Sequence, residues 1–384
     1  MGSRRRRWSP HRRWLVPGLV LLGILVFGPG PVLAAGRVLA FSFRDRELTG
    51  HPGSEAARLY LPEGLDPASG PVDLLVVLHG LNGTGRPAPL FDPQGVDLAA
   101  ASDALIASGE VLPRFVIAAP GQTRRAAKTK TLWRHFDLAA FVKAVRRQLP
   151  PGVRLTSRPT VIGHSGAGCE DEGGLWWIAA HHGGTLRALV VLDSCVNAGF
   201  GDLLYAALWP GRGLPGFCLP DPASGAHAAF AADGLGPPEP WPASSELAGD
   251  GWGPPEAPWE APAVCAPLTE PRRRGRTWLL NVWQREWKRP MAEFEERLGL
   301  ELWQAEGPRG LYDLKRSDRR WLSARVEATH REAAALGFAE ALRRLFASPA
   351  LGRQLDEEYA QAKQEYQQRR GARGASSRRP PRAP

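Results

Sequence analysis

With 384 residues the chain can hold one large α/β domain or two small ones. Its net charge of +10 misleads, because six arginines lie in residues 1–34 and six in residues 369–384, with no Asp or Glu in either segment. The rest carries 37 basic against 39 acidic side chains, so the body is close to neutral and a nucleic-acid-binding domain is not indicated.

Residues 1–34 read as a signal peptide. Arg4 to Arg7 with Arg12 and Arg13 form a cationic start, Trp14 to Phe27 an apolar run of 14 residues, and Val32-Leu33-Ala34 a small-residue cleavage site. That run is shorter than the roughly 18 residues a membrane span needs, and Pro17 interrupts it. The expected destination is periplasmic or secreted. A signal-anchored membrane form is the rival, and the choice between the Sec and twin-arginine routes stays open.

The expected domain covers residues 35–368. Arg37–Phe43 and Ala56–Leu61 open it as strands, and Asp73–His79 is a continuous apolar run, the pattern of a strand buried on both faces. Val96–Ser108 predicts a helix, Phe115–Pro120 a strand, Leu138–Gln148 an amphipathic helix and Pro159–Gly163 a strand. Leu175–His181 follows as a helix, then Ala188–Asp193, Thr277–Trp283 and Ser323–Ala328 as strands, and Glu332–Ala347 as a helix behind His330. This alternation predicts an α/β fold, a mainly parallel sheet with helices on both faces.

An insert of about residues 199–276 breaks the rhythm. Between Trp209 and Pro262, 12 Pro and 9 Gly leave little periodicity, yet Trp209, Trp241, Trp252 and Trp259 suit an ordered lid or cap better than a solvated linker. Residues 369–384 read as a disordered Arg-rich tail that could touch an anionic surface weakly. The four cysteines, an even number in an exported chain, predict two disulfides. Cys218–Cys265 would staple the ends of the insert, and Cys169 with Cys195, near the ends of neighbouring predicted strands, could form the second. No C-x-x-C spacing supports a zinc site.

The chemistry concentrates at Pro159-Thr160-Val161-Ile162-Gly163-His164-Ser165-Gly166-Ala167-Gly168. A β-branched run ends in a serine flanked by small residues, the G-x-S-x-G pattern with alanine last, as a sharp strand-to-helix turn requires. The stretch Cys169-Glu170-Asp171-Glu172-Gly173-Gly174 delays the helix that should follow. Its acids would suit a helix N-terminus, and selecting a cationic substrate or holding a divalent ion are the other readings. The Gly-rich loop Asn82-Gly83-Thr84-Gly85 matches no nucleotide-binding spacing.

With His79-Gly80 closing an earlier strand and a histidine beyond the last one, residues 37–347 apart from the insert resemble the α/β-hydrolase superfamily, serine esterase or lipase-like, with no subfamily assigned. The resemblance implies a serine nucleophile, Ser165, with a histidine base, an orienting acid and two backbone donors for an oxyanion. Its chain order is nucleophile, acid, histidine. Of nine histidines only His227 and His330 lie well beyond the Asp193 strand, and only His330 follows the last strand. Asp193 is favoured as the acid, since the small polar Ser194 and Asn197 beside it could hold a carboxylate ionised, with Glu286, behind the next-to-last strand, as the alternative. Gly166 and Leu81 would supply the oxyanion hole, and the Asn82 side chain could assist. His164 receives no chemical role.

The implied function is an exported serine hydrolase cleaving a small-molecule or polymer ester through an acyl-enzyme, with no cofactor and no metal. Amidase, peptidase or acyltransferase chemistry on the same residues is the alternative, as is an inactive envelope-binding protein. Trp133, Trp176 and the tryptophans of the insert could line an apolar or sugar-stacking groove, with a plain core role for most of them as the alternative.

Overall fold

The computed structural model describes residues 35–43, 56–82, 90–92, 96–121, 132–169, 173–208, 277–317 and 320–376. The expected signal peptide, the Cys218–Cys265 pair and most of the insert lie outside them. The described residues build a ten-stranded sheet from β1 (Arg37–Ser42), β2 (Ala56–Leu61), β3 (Asp73–Leu78), β4 (Phe115–Pro120), β5 (Thr160–His164), β6 (Ala188–Leu192), β7 (Trp278–Gln284), β8 (Glu301–Glu306), β9 (Leu311–Arg316) and β10 (Trp321–Val326). The order is β1-β2-β4-β3-β5-β6-β7-β10-β9-β8. Six central strands, β4 to β10, run parallel, and an antiparallel pair extends each side.

The continuous apolar runs become central strands because both faces are covered. Side chains alternate across a strand. In β3, Leu74, Val76 and Leu78 therefore enter one core, and Leu75 and Val77 the other. Four helices pack on the first face: α2 (Leu138–Arg146), α3 (Gly174–His182), α4 (Ala198–Leu208) and α5 (Lys288–Arg297). The second face is covered by α1 (Leu98–Ala107) and α6 (His330–Phe346). Asp97 and Asp137 cap α1 and α2, and Thr329 with Glu332 forms a reciprocal capping box on α6. Gly337 lets α6 settle onto the sheet, since a Cβ there would come 2.6 Å from Leu192 Cδ2 and 3.0 Å from Val282 Cβ.

Two expectations need correction. The insert begins later than residue 199, because Ala198–Leu208 is a helix whose Phe200, Leu203 and Leu204 are buried. The Arg-rich tail is helical for half its length, since α7 (Pro349–Ser376) runs through residues 369–376. Its Ala, Gln, Glu, Lys and Arg content favours a helix. Trp303 of β8 stacks on Tyr359 and Tyr366 at ring distances of 5.5 and 5.2 Å, and Arg369 donates to the Trp303 carbonyl. Among the described residues no helix is long and apolar enough to cross a membrane.

Candidate active site

Strand β5 ends at His164, and the chain turns at once. Ser165 has φ +54°, in the left-handed region, a conformation that costs a non-glycine residue about 1–3 kcal/mol and persists only where its surroundings enforce it. Space here is tight on every side. A Cβ on Gly163 would come 2.5 Å from Leu175, and one on Gly80 would overlap the Ser165 Cβ and lie 2.8 Å from its Oγ. Ala167, where the pattern has glycine, is buried. Gly174 faces its carbonyl at φ +49°, and any side chain at Gly174 would overlap the Ala167 oxygen.

The delayed helix is real. Ser165–Gly168 makes a single tight turn, and α3 starts only at Gly174, with Gly173 as its N-cap and no side-chain cap. Glu170, Asp171 and Glu172 lie outside the described residues. Other ties hold the turn in place of a continuous helix. The Trp176 indole N–H donates to the Gly168 carbonyl at 3.0 Å, Gly174 N–H donates to the Trp133 carbonyl at 3.2 Å, and a disulfide joins Cys169 to Cys195. Trp133 and Trp176 are buried, the core alternative of the two that the sequence left open for them. Trp133 braces the β3 loop, its indole N–H donating to the His79 carbonyl at 2.8 Å.

That loop brings Leu81 to the serine. The missing Cβ of Gly80 would lie 3.0 Å from Gly166 N, and that of Gly166 would lie 3.5 Å from Leu81 N. The backbone of Gly80 and Leu81 therefore packs closely against that of Ser165 and Gly166. His79 is buried and its Nδ1 sits 2.7 Å from the Gly80 carbonyl. A carbonyl only accepts, so Nδ1 carries the proton. Burial pushes this imidazole down to about 4, keeping it neutral. Asn82 is buried next to the loop, while Leu81 is half-exposed.

The carboxylate that meets His330 is Asp193. It follows β6 at φ +45° and is fully buried. Its Oδ1 accepts from Gln284 N–H at 2.9 Å, its own N–H donates to the Val282 carbonyl at 2.7 Å, and its Oδ2 lies 2.5 Å from His330 Nδ1. A carboxylate oxygen only accepts, so the proton of this contact sits on Nδ1, which orients the ring. Glu286 is exposed in the turn behind β7 and lines a cavity of about 370 Å³ with Gln284, Val326, Glu327 and Ala328.

His330 opens α6 with its ring partly exposed. The ring stacks on His164 at 4.6 Å and 29°. Burial and the neighbouring His330 and His79 push the His164 imidazole down to about 3, so it forms an uncharged wall against His330. The residue before the serine is thus a packed neighbour of the site, as its place in the chain suggests. Ser194, expected from the sequence as a small polar neighbour of the Asp193 carboxylate, donates its Oγ to the Ser165 carbonyl at 2.7 Å. Among the described residues no group of His, Cys, Asp and Glu could hold a metal ion.

The described residues thus place a serine at a tight left-handed turn behind β5 and, behind the neighbouring β6, a buried carboxylate against a histidine. No protein-family model and no curated protein matches the sequence. Solved structures do resemble it. A feruloyl esterase module from Clostridium thermocellum is 11% identical with a TM-score of 0.41, over 79% of this chain and 88% of that one. A siderophore hydrolase from Aspergillus nidulans is 10% identical with a TM-score of 0.42, over 84% and 98%. A ferulic acid esterase from Anaeromyces mucronatus is 12% identical with a TM-score of 0.42, over 82% and 93%. At such likeness, residue roles rest on the geometry of this chain.

Proposed function

We propose that the protein is an exported serine hydrolase that cleaves an ester through an acyl-enzyme. The observation that carries this reading is the 2.5 Å contact between buried Asp193 and His330 Nδ1, together with a serine held in the left-handed region at the end of the strand next to that of Asp193. A serine hydroxyl is a weak nucleophile at neutral pH and needs a base. His330 takes the Ser165 proton at Nε2 as Oγ attacks the ester carbonyl, and Asp193 stabilises the imidazolium. The Leu81 and Gly166 N–H groups receive the oxyanion. The alkoxide leaves with the proton returned by His330, and a water activated in the same way frees the acid and regenerates Ser165.

Esters come before amides because an alkoxide needs less help to leave than an amine. The esterases among the similar structures suit that choice without deciding it. Export is supported by the cationic and apolar start of the chain and by the Cys169–Cys195 disulfide, which persists in oxidising compartments. Fluorophosphonate labelling and a panel of short- and long-chain p-nitrophenyl esters beside peptide anilides test the reading. It expects label on Ser165, lost in Ser165→Ala, and ester turnover above anilide turnover. A wild-type chain that is folded, takes no label and cleaves nothing on the panel would overturn it.

A further inference from the structure

Three consecutive residues behind β6 hold three parts of the site. Asp193 meets His330, Ser194 Oγ donates to the Ser165 carbonyl at 2.7 Å, and Cys195 is bonded to Cys169 at the far end of the serine turn. The left-handed φ of Asp193 is what lets neighbouring side chains fan out so sharply. Ser194 is buried, and the fit is close: a Cβ on Gly168 would come 3.0 Å from Ser194 Cβ and 3.1 Å from its Oγ.

We infer that Ser194 is a positioning residue for the nucleophile, a role that rests on the hydrolase reading above. Ser165 occupies a strained conformation without a continuous helix behind it to enforce the turn. The Ser194 hydrogen bond fixes the orientation of the peptide plane that follows Ser165, and that plane carries the Gly166 N–H. Its loss frees this peptide to rotate, moving both the hydroxyl and one oxyanion donor. The carboxylate and the nucleophile are thereby set by neighbouring residues of one turn, so a shift of that turn moves both partners of His330 together.

The test compares Ser194→Ala with Ser102→Ala. Ser102 is an equally buried serine in α1 whose hydroxyl also donates to a carbonyl, that of Leu98 at 2.7 Å, away from the site. Both variants lose one buried hydroxyl. Ser194→Ala is expected to lower kcat and the fluorophosphonate labelling rate by on the order of ten- to a hundredfold, with KM held within about twofold, whereas Ser102→Ala leaves kcat as it is. A crystal structure of Ser194→Ala should show Ser165 relaxed from φ +54° or the 165–166 peptide rotated. An unchanged Ser165–Gly166 backbone overturns the inference, and so does a kcat matching that of Ser102→Ala. If the wild type neither labels nor turns over esters, the hydrolase reading falls, and the backbone of the variant still decides whether Ser194 holds the turn.

Discussion

The central parallel strands and the β10-β9-β8 edge are stabilised in different ways. At the C-terminal ends of β5 and β6 the chain is held by close backbone approach, with Ser165 and Asp193 in left-handed conformations and Gly80, Gly163 and Gly174 leaving no room for a side chain. At the edge, charge and aromatic contacts dominate. Arg309 bonds Glu340 at 2.9 Å and reaches Glu358 at 3.4 Å, Arg344 meets Glu340 at 2.6 Å, and Trp303 lies against Tyr359 and Tyr366. The first region has geometry to lose and the second has stability to lose. Substitutions should separate the two.

The largest effect is expected at the site. Asp193→Asn should lower kcat by about four orders of magnitude, because an amide no longer selects the Nδ1–H tautomer of His330. Calorimetry should find the chain still folded.

Next comes the edge. Glu340→Gln should cost about 3 kcal/mol, since it leaves the largely buried Arg344 without this carboxylate and Arg309 with only its longer contact to Glu358, with kcat unchanged in urea-free assays. Its pH dependence has a definite sign. Burial alone would raise this carboxyl, but Arg344 and Arg309 outweigh it and pull it from 4.5 down to about 2. Between those values the unfolded chain binds more protons than the folded one. The contribution is therefore full above pH 4.5 and lost as the pH falls toward 2. Urea titrations from pH 5 to pH 2 should lose stability more steeply in the wild type than in Glu340→Gln.

Gly80→Ala should then blur the boundary between the two regions. The new methyl pushes against Ser165, so kcat should fall roughly a hundredfold while overpacking costs about 1–3 kcal/mol. The smallest effect is expected for Tyr366→Ala. Removing one ring of the Trp303 stack should cost about 1 kcal/mol in thermal unfolding and leave ester turnover untouched.

The contrast also explains what could be read from the chain. Asp73–Leu78 and Phe115–Pro120 announce themselves because strands covered on both faces must be apolar throughout, and the serine turn does so because only small residues fit it. The edge is written in a weaker code. Strand β8 alternates poorly and is mostly exposed, β9 buries an arginine, Arg316, and α7 is polar almost throughout. Their stability comes from partners far away in sequence. Helix α5 carries Pro290 in its first turn, which reads as a break although a helix start tolerates proline. The choice between Asp193 and Glu286 stayed open for a similar reason, since burial and the Gln284 N–H donor exist only once β6 and β7 lie side by side. Ser194 reads in the sequence as a polar neighbour of Asp193, and its bond to the Ser165 carbonyl could not be read because that partner is the backbone of a residue 29 positions earlier.

His330 stands at the start of α6, behind the last strand of the sheet. A ribosome therefore makes the base long after the serine, and a nascent chain stopped anywhere before α6 has an elbow with no proton acceptor. On the proposed chemistry such a precursor is inert, and activity begins only when β10 has paired with β7 and α6 has docked over Leu192 and Val282.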